Sequence, residues 1–258
     1  MISESFLQNT GSLQQIDQTT ILREYFQLVF LKYFYQKSRQ VYFKGGTAIR
    51  FLFNSFRYSE DLDFTSLKKD NYLKEVTSII PQIETETNTQ IKISQQTNIE
   101  DIGQRIRLIF QPNQIIKQPL GIKLDFSFRE KPLDTESTVI ITNYPISPPP
   151  LVNHYSQKEI LAEKIRAMFT RNKARDLFDL WFLLKNDTPI VWEYVDQKMK
   201  YYPKVSYSEK KLISSIKKYN PDKFKQDLNQ FLPKNYRQMY PQIITETVQI
   251  LNQAFEEK

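Results

Sequence analysis

Two short motifs in the first quarter of the chain could carry chemistry. The glycines Gly45 and Gly46 precede Thr47, and the paired acids Asp61 and Asp63 follow. A glycine lets the backbone approach a polyphosphate closely, and the free amides of a following helix bind its oxygens, to which Thr47 would add a hydroxyl. Two aspartates at i and i+2 of one strand have backbones roughly 6 to 7 Å apart, and their carboxylates can converge on Mg²⁺, which prefers oxygen ligands. The order of the two motifs predicts nucleotide chemistry.

A third acid, Asp125, lies on a later predicted strand, where it shares one face with Lys123 and Ser127. If this strand pairs beside the strand of Asp61, Asp125 becomes a third metal ligand or the base that helps deprotonate an attacking hydroxyl. Three carboxylates suit two-metal phosphoryl transfer, in which one ion activates the attacking oxygen and the other stabilises the leaving pyrophosphate. The alternative is that some of these acids only cap strand ends in solvent, which we would prefer for an isolated Asp-x-Asp. The preceding glycine pair reverses that preference.

A second group of charged residues lies on two predicted helices further along the chain. Lys164 falls within the apolar stripe of its helix, so it needs an anionic partner such as a triphosphate or a structural acid, unless it extends to solvent. Asp176 and Asp179 form a narrow polar stripe beside Arg175 on a helix that is otherwise apolar. These acids could position Lys164 or Arg175, contact the nucleotide or act in catalysis. The pattern does not choose between the two aspartates.

The spacing of apolar residues predicts the elements that must position these side chains. Strands are predicted over residues 40–43, 59–65, 91–94, 104–110, 121–128 and 138–142. Helices are predicted over residues 21–35, 47–53, 71–85, 157–169, 175–184, 191–200, 209–219, 221–231 and 242–255. The triple proline at 148–150 cannot continue a helix or a central strand, so we place a domain boundary there. The predicted fold class is α/β: a mixed β-sheet with flanking helices over 1–147, and a mainly helical C-terminal domain over 148–258 that completes the active site.

Composition limits the class of protein. The 258 residues are 40% hydrophobic and 14% aromatic, as in a globular protein. The absence of cysteine excludes disulfides, thiolate metal sites and cysteine nucleophiles, and the single histidine, His154, supports neither a zinc site nor a Ser-His-Asp triad. We expect a structural role for His154. No leader or membrane-spanning run is found, so we expect a cytoplasmic protein without a membrane partner. The net charge of +7 permits an anionic partner.

A basic segment follows the predicted domain boundary. Residues 198–225 contain nine lysines, two acids and four interleaved tyrosines: Tyr201, Tyr202, Tyr207 and Tyr219. Such lysines could follow a phosphate backbone while the tyrosines stack on bases. A solvated helical surface is the alternative that we prefer from sequence. The loop 171–173 is likewise predicted to be a solvated turn.

The segments Lys44–Ala48 and Arg57–Phe64 together resemble the AbiEii/AbiGii toxin family of nucleotidyltransferases. The later segments 159–164 and 173–180 are similar to further motifs of that family. The resemblance implies a nucleotidyltransferase-like fold and Mg²⁺-dependent transfer of a nucleoside monophosphate from a nucleoside triphosphate, with release of pyrophosphate. It also places Lys164 and an acid of the 176/179 stripe in the active site.

The resemblance assigns roles to the motif residues. The triphosphate would bind at Gly45, Gly46 and Thr47 with Lys164 and Arg175. One or two Mg²⁺ ions would be held by Asp61, Asp63 and Asp125. The catalytic set would be these three acids with Lys164, Asp176 and Asp179.

The resemblance further implies the toxin of a bacterial toxin–antitoxin or phage-defence (abortive infection) system. Its acceptor would be RNA, such as the 3′ end of a tRNA, and its partner a cognate antitoxin. Two alternatives stay open: an antibiotic-modifying small-molecule nucleotidyltransferase, and a non-catalytic relative that binds RNA or protein.

Overall fold

The computed structural model describes residues 2–99 and 102–256, which divide into two compact units. The first comprises residues 2–54, 58–99 and 102–154, and the second comprises residues 55–57 and 155–256. A strand, Leu151–Tyr155, follows the prolines and pairs with the strand Val41–Lys44. The domain boundary at 147 stays a prediction.

The first unit contains a seven-stranded mixed sheet with the strand order β3-β4-β5-β2-β1-β7-β6. Its strands are β1 Val41–Lys44, β2 Asp61–Ser66, β3 Ile91–Ile99, β4 Gly103–Phe110, β5 Leu120–Ser127, β6 Thr135–Val139 and β7 Leu151–Tyr155. β2 is antiparallel to β1 and parallel to β5, whereas β3, β4 and β5 form an antiparallel edge. The sequence predicted the first six strands, with β6 displaced by three residues, but not β7, which lies between β1 and β6 in the sheet.

Two helices cover one face of this sheet. The helices of the unit are α1 Glu4–Gln14, α2 Gln18–Lys37, α3 Gly45–Leu52 and α4 Tyr72–Thr87. Phe34 of α2 packs 5.3 Å from Phe64 and 5.6 Å from Phe126, measured between ring centroids, and Tyr72 of α4 stacks on Phe126 at 4.5 Å. Because strand side chains alternate between faces, Asp63 and Asp125, which directly precede Phe64 and Phe126, lie on the opposite face, where they are half-buried. That opposite face carries the predicted carboxylates.

The second unit is helical, as the sequence predicted. Its helices are α5 Gln157–Thr170, α6 Ala174–Lys185, α7 Trp192–Lys200, α8 Glu209–Lys217, α9 Pro221–Leu228 and α10 Tyr240–Glu256, with short 3₁₀ turns at Asn229–Phe231 and Lys234–Tyr236. Residues 55–57 belong to this unit because Phe56 stacks on Tyr236 at 4.1 Å and meets the edge of Phe178 at 5.2 Å. Within the described residues, no helix is both long and apolar enough to cross a bilayer.

Candidate active site

The glycine at the start of α3 makes room for an aspartate. Gly45 has a φ of +77°, a conformation that residues with side chains rarely adopt. A Cβ atom at this position would lie 2.2 Å from Oδ2 of Asp63, which is far closer than van der Waals contact. Asp63 arrives there because β2 pairs with β1 so that it lies opposite Lys44. Both the backbone conformation and the carboxylate therefore require glycine at position 45.

The first turn of α3 has the features of an anion site. The N-cap residue Lys44 supplies no capping side-chain hydrogen bond in the described structure, so its side chain does not satisfy the first backbone N–H groups. Those groups, which belong to Gly45, Gly46 and Thr47, and the positive end of the helix dipole favour a phosphate. The hydroxyl of Thr47 is buried and donates a 2.5 Å hydrogen bond to the backbone oxygen of Asp61. Thr47 thus ties α3 to β2 through its side chain, and its predicted hydroxyl contact with phosphate stays a prediction.

The parallel pairing of β2 with β5 brings three carboxylates to one face. Asp63 is directly opposite Asp125, and Asp61 is opposite Lys123. The ammonium of Lys123 lies 3.7 Å from Oδ2 of Asp61 and 3.8 Å from Oδ2 of Asp125. Arg105 on β4 donates from Nε to the same Asp125 oxygen at 2.9 Å. Two cations therefore lie among the acids in this structure.

The carboxylates fit a hard divalent cation by their chemistry. Oxygen ligands from Asp61, Asp63 and Asp125 are those that Mg²⁺ prefers, and Gly45 leaves the Asp63 carboxylate its place. No group of three or more His, Cys, Asp or Glu side chains in the described parts of the chain is close enough to hold a metal ion as the side chains now lie. Lys123 lies between two of the acids instead. The three-carboxylate metal centre stays a prediction.

The second unit contains a linear chain of five charged side chains of alternating sign. Arg57 donates from Nε and Nη2 to the two oxygens of Asp179 at 2.7 and 2.9 Å. Lys164 joins the two aspartates, with its Nζ 2.8 Å from Asp179 Oδ2 and 3.3 Å from Asp176 Oδ1. Arg171 closes the series with two hydrogen bonds of 2.7 Å to Asp176. Three cations and two anions give this cluster a net charge of +1.

Burial and charge oppose each other at the two aspartates. Burial alone would raise the pKa of Asp176, but the charge of Lys164 and the hydrogen bond from Arg171 outweigh it and lower that pKa to about 2. Burial likewise acts on Asp179, whose pKa is lowered by Arg57 and Lys164. Both carboxyl groups are therefore ionised at neutral pH. Of the partners considered for Lys164, the structure shows structural acids, and both aspartates are bound to it.

Three arginines near these clusters have places that the sequence did not indicate. Arg175, a predicted triphosphate ligand, lies with its guanidinium carbon 5.0 Å from the centre of the Phe231 ring, and its role stays a prediction. Arg171 was predicted to lie in a solvated turn, and although its side chain is 56% exposed, it binds Asp176. Arg57 lies 122 residues before its partner, so no local pattern could reveal the pair. The only indication of Arg57 in the sequence was its place at the start of the segment Arg57–Phe64, which contains Asp61 and Asp63.

The basic segment of the second unit forms a groove. This groove, of about 570 Å³, is lined by Asn172, Lys211, Ser214, Ser215, Lys218, Tyr219, Asn220 and Lys223. Tyr219 is the one of the four interleaved tyrosines that lines it, and its hydroxyl donates to the backbone oxygen of Asn172 at 2.8 Å. Burial, with the charges of Asp227 and Asp176, raises the pKa of Tyr219 to about 12. The groove thus adjoins the loop that carries Arg171.

His154 is buried, with Nε2 2.9 Å from the Thr138 hydroxyl.

A family model described as "Nucleotidyl transferase AbiEii toxin, Type IV TA system" matches residues 30–258 of the chain. The chain belongs to this family. As a member of the AbiEii family it is a nucleotidyltransferase, and the family resemblance indicated by its motifs is confirmed. The family also places it among the toxins of type IV toxin–antitoxin systems.

Solved structures confirm the fold of this AbiEii family member. MenT4, a nucleotidyltransferase toxin from Mycobacterium tuberculosis, is similar with a TM-score of 0.72 and 17% identity, over 98% of this chain and 90% of that one. JHP933 from Helicobacter pylori is similar with a TM-score of 0.59 and 23% identity, over 94% of this chain and 96% of that one. No curated protein matches the chain. The α/β nucleotidyltransferase-like fold with a helical C-terminal part is therefore confirmed.

Proposed function

We propose that this nucleotidyltransferase transfers a nucleoside monophosphate from a nucleoside triphosphate to RNA in a Mg²⁺-dependent reaction that releases pyrophosphate. One observation carries the proposal. The register that places Asp63 opposite Asp125, with Asp61 two residues away, gathers three carboxylates beside a helix start that can accept phosphate. A face with three carboxylates beside a helix start that can accept phosphate supports nucleotidyl transfer at this place.

The residues of this face have distinct roles in the proposal. The first-turn N–H groups of α3 bind the phosphate oxygens of the triphosphate. Asp61, Asp63 and Asp125 hold Mg²⁺, which would supply charge neutralisation and lower the pKa of the attacking hydroxyl. Asp125 is either the third ligand or the base that takes the proton. Lys164, held between two ionised aspartates in a cluster of net charge +1, offsets negative charge on the leaving pyrophosphate.

The acceptor is proposed to be RNA, such as the 3′ end of a tRNA, and its modification to be the toxic activity that a cognate antitoxin counteracts. The groove with Lys211, Lys218 and Lys223 supports an anionic acceptor, because exposed lysines beside a tyrosine suit a phosphate backbone with unpaired bases. The net charge of +7 agrees with this choice. A small cationic antibiotic would find no complementary charge there.

Four parallel labelling reactions test the proposal, each containing the protein, Mg²⁺, total RNA and one of the four labelled nucleoside triphosphates. We expect the wild-type protein to label RNA, Asp63→Asn to lose the reaction, and Asp70→Asn, which removes an exposed loop carboxylate, to retain it. Labelling of neither RNA nor protein, combined with equal toxicity of wild type and Asp63→Asn in cells, would overturn the proposal. Label on a small-molecule antibiotic supplied in place of RNA in a parallel reaction, with none on RNA, would support the antibiotic-modifying alternative.

A further inference from the structure

Three cationic side chains on β5 and β4 extend the carboxylate face of the sheet, and the proposed reaction does not use them. Arg105 lies opposite Asp125, and Arg107 lies opposite Lys123. On β4 these two arginines are exposed, whereas Ile106 between them is buried on the aromatic side. Arg105, Arg107 and Lys123 therefore form one group on the carboxylate face, which we call the cationic patch.

Arg107 is the member of the patch whose charge is not compensated. Arg105 and Lys123 lie beside carboxylates, but within residues 2–99 and 102–256 the guanidinium of Arg107 forms no ion pair. It lies against β5 at Gly121, where a Cβ atom would be only 3.2 Å from both Nε and Nη2. The glycine thus leaves space for the guanidinium on the sheet surface. Among the described residues, Arg107 thus presents a hydrogen-bonding cation that no carboxylate compensates, two strands from Asp61.

The patch and the α3 start lie on opposite sides of the carboxylates. One row of paired residues runs from Lys44 through Asp63 and Asp125 to Arg105, across β1, β2, β5 and β4. With neighbouring strands about 4.8 Å apart, the row spans roughly 14 Å. A phosphate bound at the patch is therefore a different phosphate from those bound at Gly45.

We infer that the cationic patch binds the acceptor's last phosphodiester, the one that precedes the 3′-terminal ribose. This inference rests on the proposed function. The attacking and leaving oxygens of a phosphoryl transfer are roughly in line, so an acceptor enters from the side opposite the leaving pyrophosphate, which is the side of Arg105 and Arg107. Guanidinium groups bind phosphate with paired hydrogen bonds. A polynucleotide acceptor carries a phosphate next to its terminal ribose, whereas a free nucleoside or a sugar does not.

The test is a thermodynamic cycle between Arg107 and that phosphate. The binding of tRNA without added nucleotide is measured by fluorescence anisotropy, once with the natural terminal linkage and once with a neutral methylphosphonate there. The methylphosphonate should weaken binding of the tRNA to the wild type about five- to tenfold, and Arg107→Gln should weaken binding of the natural tRNA by the same factor. The methylphosphonate should then leave the affinity of Arg107→Gln for tRNA almost unchanged. The control is Lys74→Gln, which removes an exposed cation from α4, the helix that packs on the aromatic face.

Two further measurements separate the inference from the proposed function. Arg107→Gln should lower the slope of log affinity against log salt concentration by about 0.7, the contribution of one phosphate of a single strand, and should leave nucleoside triphosphate binding unchanged. If the protein and RNA changes are additive, with full loss in each background, the patch does not contact this phosphate and the inference is wrong while RNA remains the acceptor. If the wild type binds nucleoside triphosphate but no tRNA, the proposed acceptor is wrong, and the inference fails with it.

Discussion

Replacing Gly45 with alanine tests the geometry on which the proposed site depends. Two costs follow from the structure. A non-glycine residue at a φ of +77° costs about 1–2 kcal/mol. The new Cβ would lie 2.2 Å from Asp63 Oδ2, so the carboxylate oxygen must retreat by about 1.2 Å to reach the 3.4 Å at which ordinary contact begins. Overpacking of this kind costs a further 1–3 kcal/mol or so.

The unfolding free energy of the first unit should therefore fall by about 2–5 kcal/mol, measured by urea denaturation. Catalysis should fall by about 10²-fold or more, because a displacement of about 1 Å of a catalytic group has that effect on rate. The Asp63→Gly background separates the two costs, since it removes Oδ2, Cγ and Cβ of Asp63, which would lie 2.2, 2.9 and 2.9 Å from the new Cβ atom. There, Gly45→Ala should retain the 1–2 kcal/mol or so of backbone strain and lose most of the rest.

Two results would refute the reasoning. If Gly45→Ala has the same stability cost in both backgrounds, the Asp63 carboxylate does not occupy the space that the glycine leaves. If Gly45→Ala retains wild-type activity in the RNA-labelling assay, the position of Asp63 beside α3 does not matter for transfer.

Three more predictions concern the second unit. Arg57→Gln removes the guanidinium hydrogen bonds from the buried Asp179 carboxylate, which keeps its ion pair with Lys164, and should cost about 1.5–3 kcal/mol of unfolding free energy. Arg57→Lys, which cannot bind both oxygens, should recover little of this loss, and an unchanged urea midpoint would contradict the prediction. The folded-state pKa of Asp176 is about 2 and its ordinary value is 3.8, so the ionised carboxylate stabilises the fold above about pH 4. About 2 kcal/mol of unfolding free energy should be lost as the pH falls from about 4 towards 2. Asp176→Asn should flatten that part of the pH–stability curve, and an equally steep curve in the variant would contradict the prediction. The ammonium of Lys198 is 2.5 Å from Glu159, and both side chains are fully buried. Lys198→Met leaves the Glu159 charge uncompensated and should lower the unfolding free energy by about 3–5 kcal/mol in thermal or urea unfolding. Adding Glu159→Gln should restore much of that stability, and a double variant no more stable than the single one would contradict this explanation.

The amino-acid sequence determined the elements and the faces of the two central strands. The alternation of Asp61, Leu62, Asp63 and Phe64 predicted a strand with acids on one side and apolar residues on the other, and the burial of the strand agrees. All six helices of the second unit were likewise predictable. These features are local: the period of the apolar residues follows directly from strand and helix geometry. The order of the motifs was also enough to indicate the family.

Only the tertiary structure decided which charged groups meet. The register that sets Asp63 opposite Asp125 joins strands 62 residues apart, and Arg57 meets Asp179 across 122 residues. Periodicity assigns a residue to a face but not to a partner, because pairing depends on how the strands and helices are arranged in space. The meaning of Gly45 changed for the same reason. Its sequence suggested an approach to phosphate, whereas its φ angle and its contact with the Asp63 carboxylate appear only when β1 and β2 are paired.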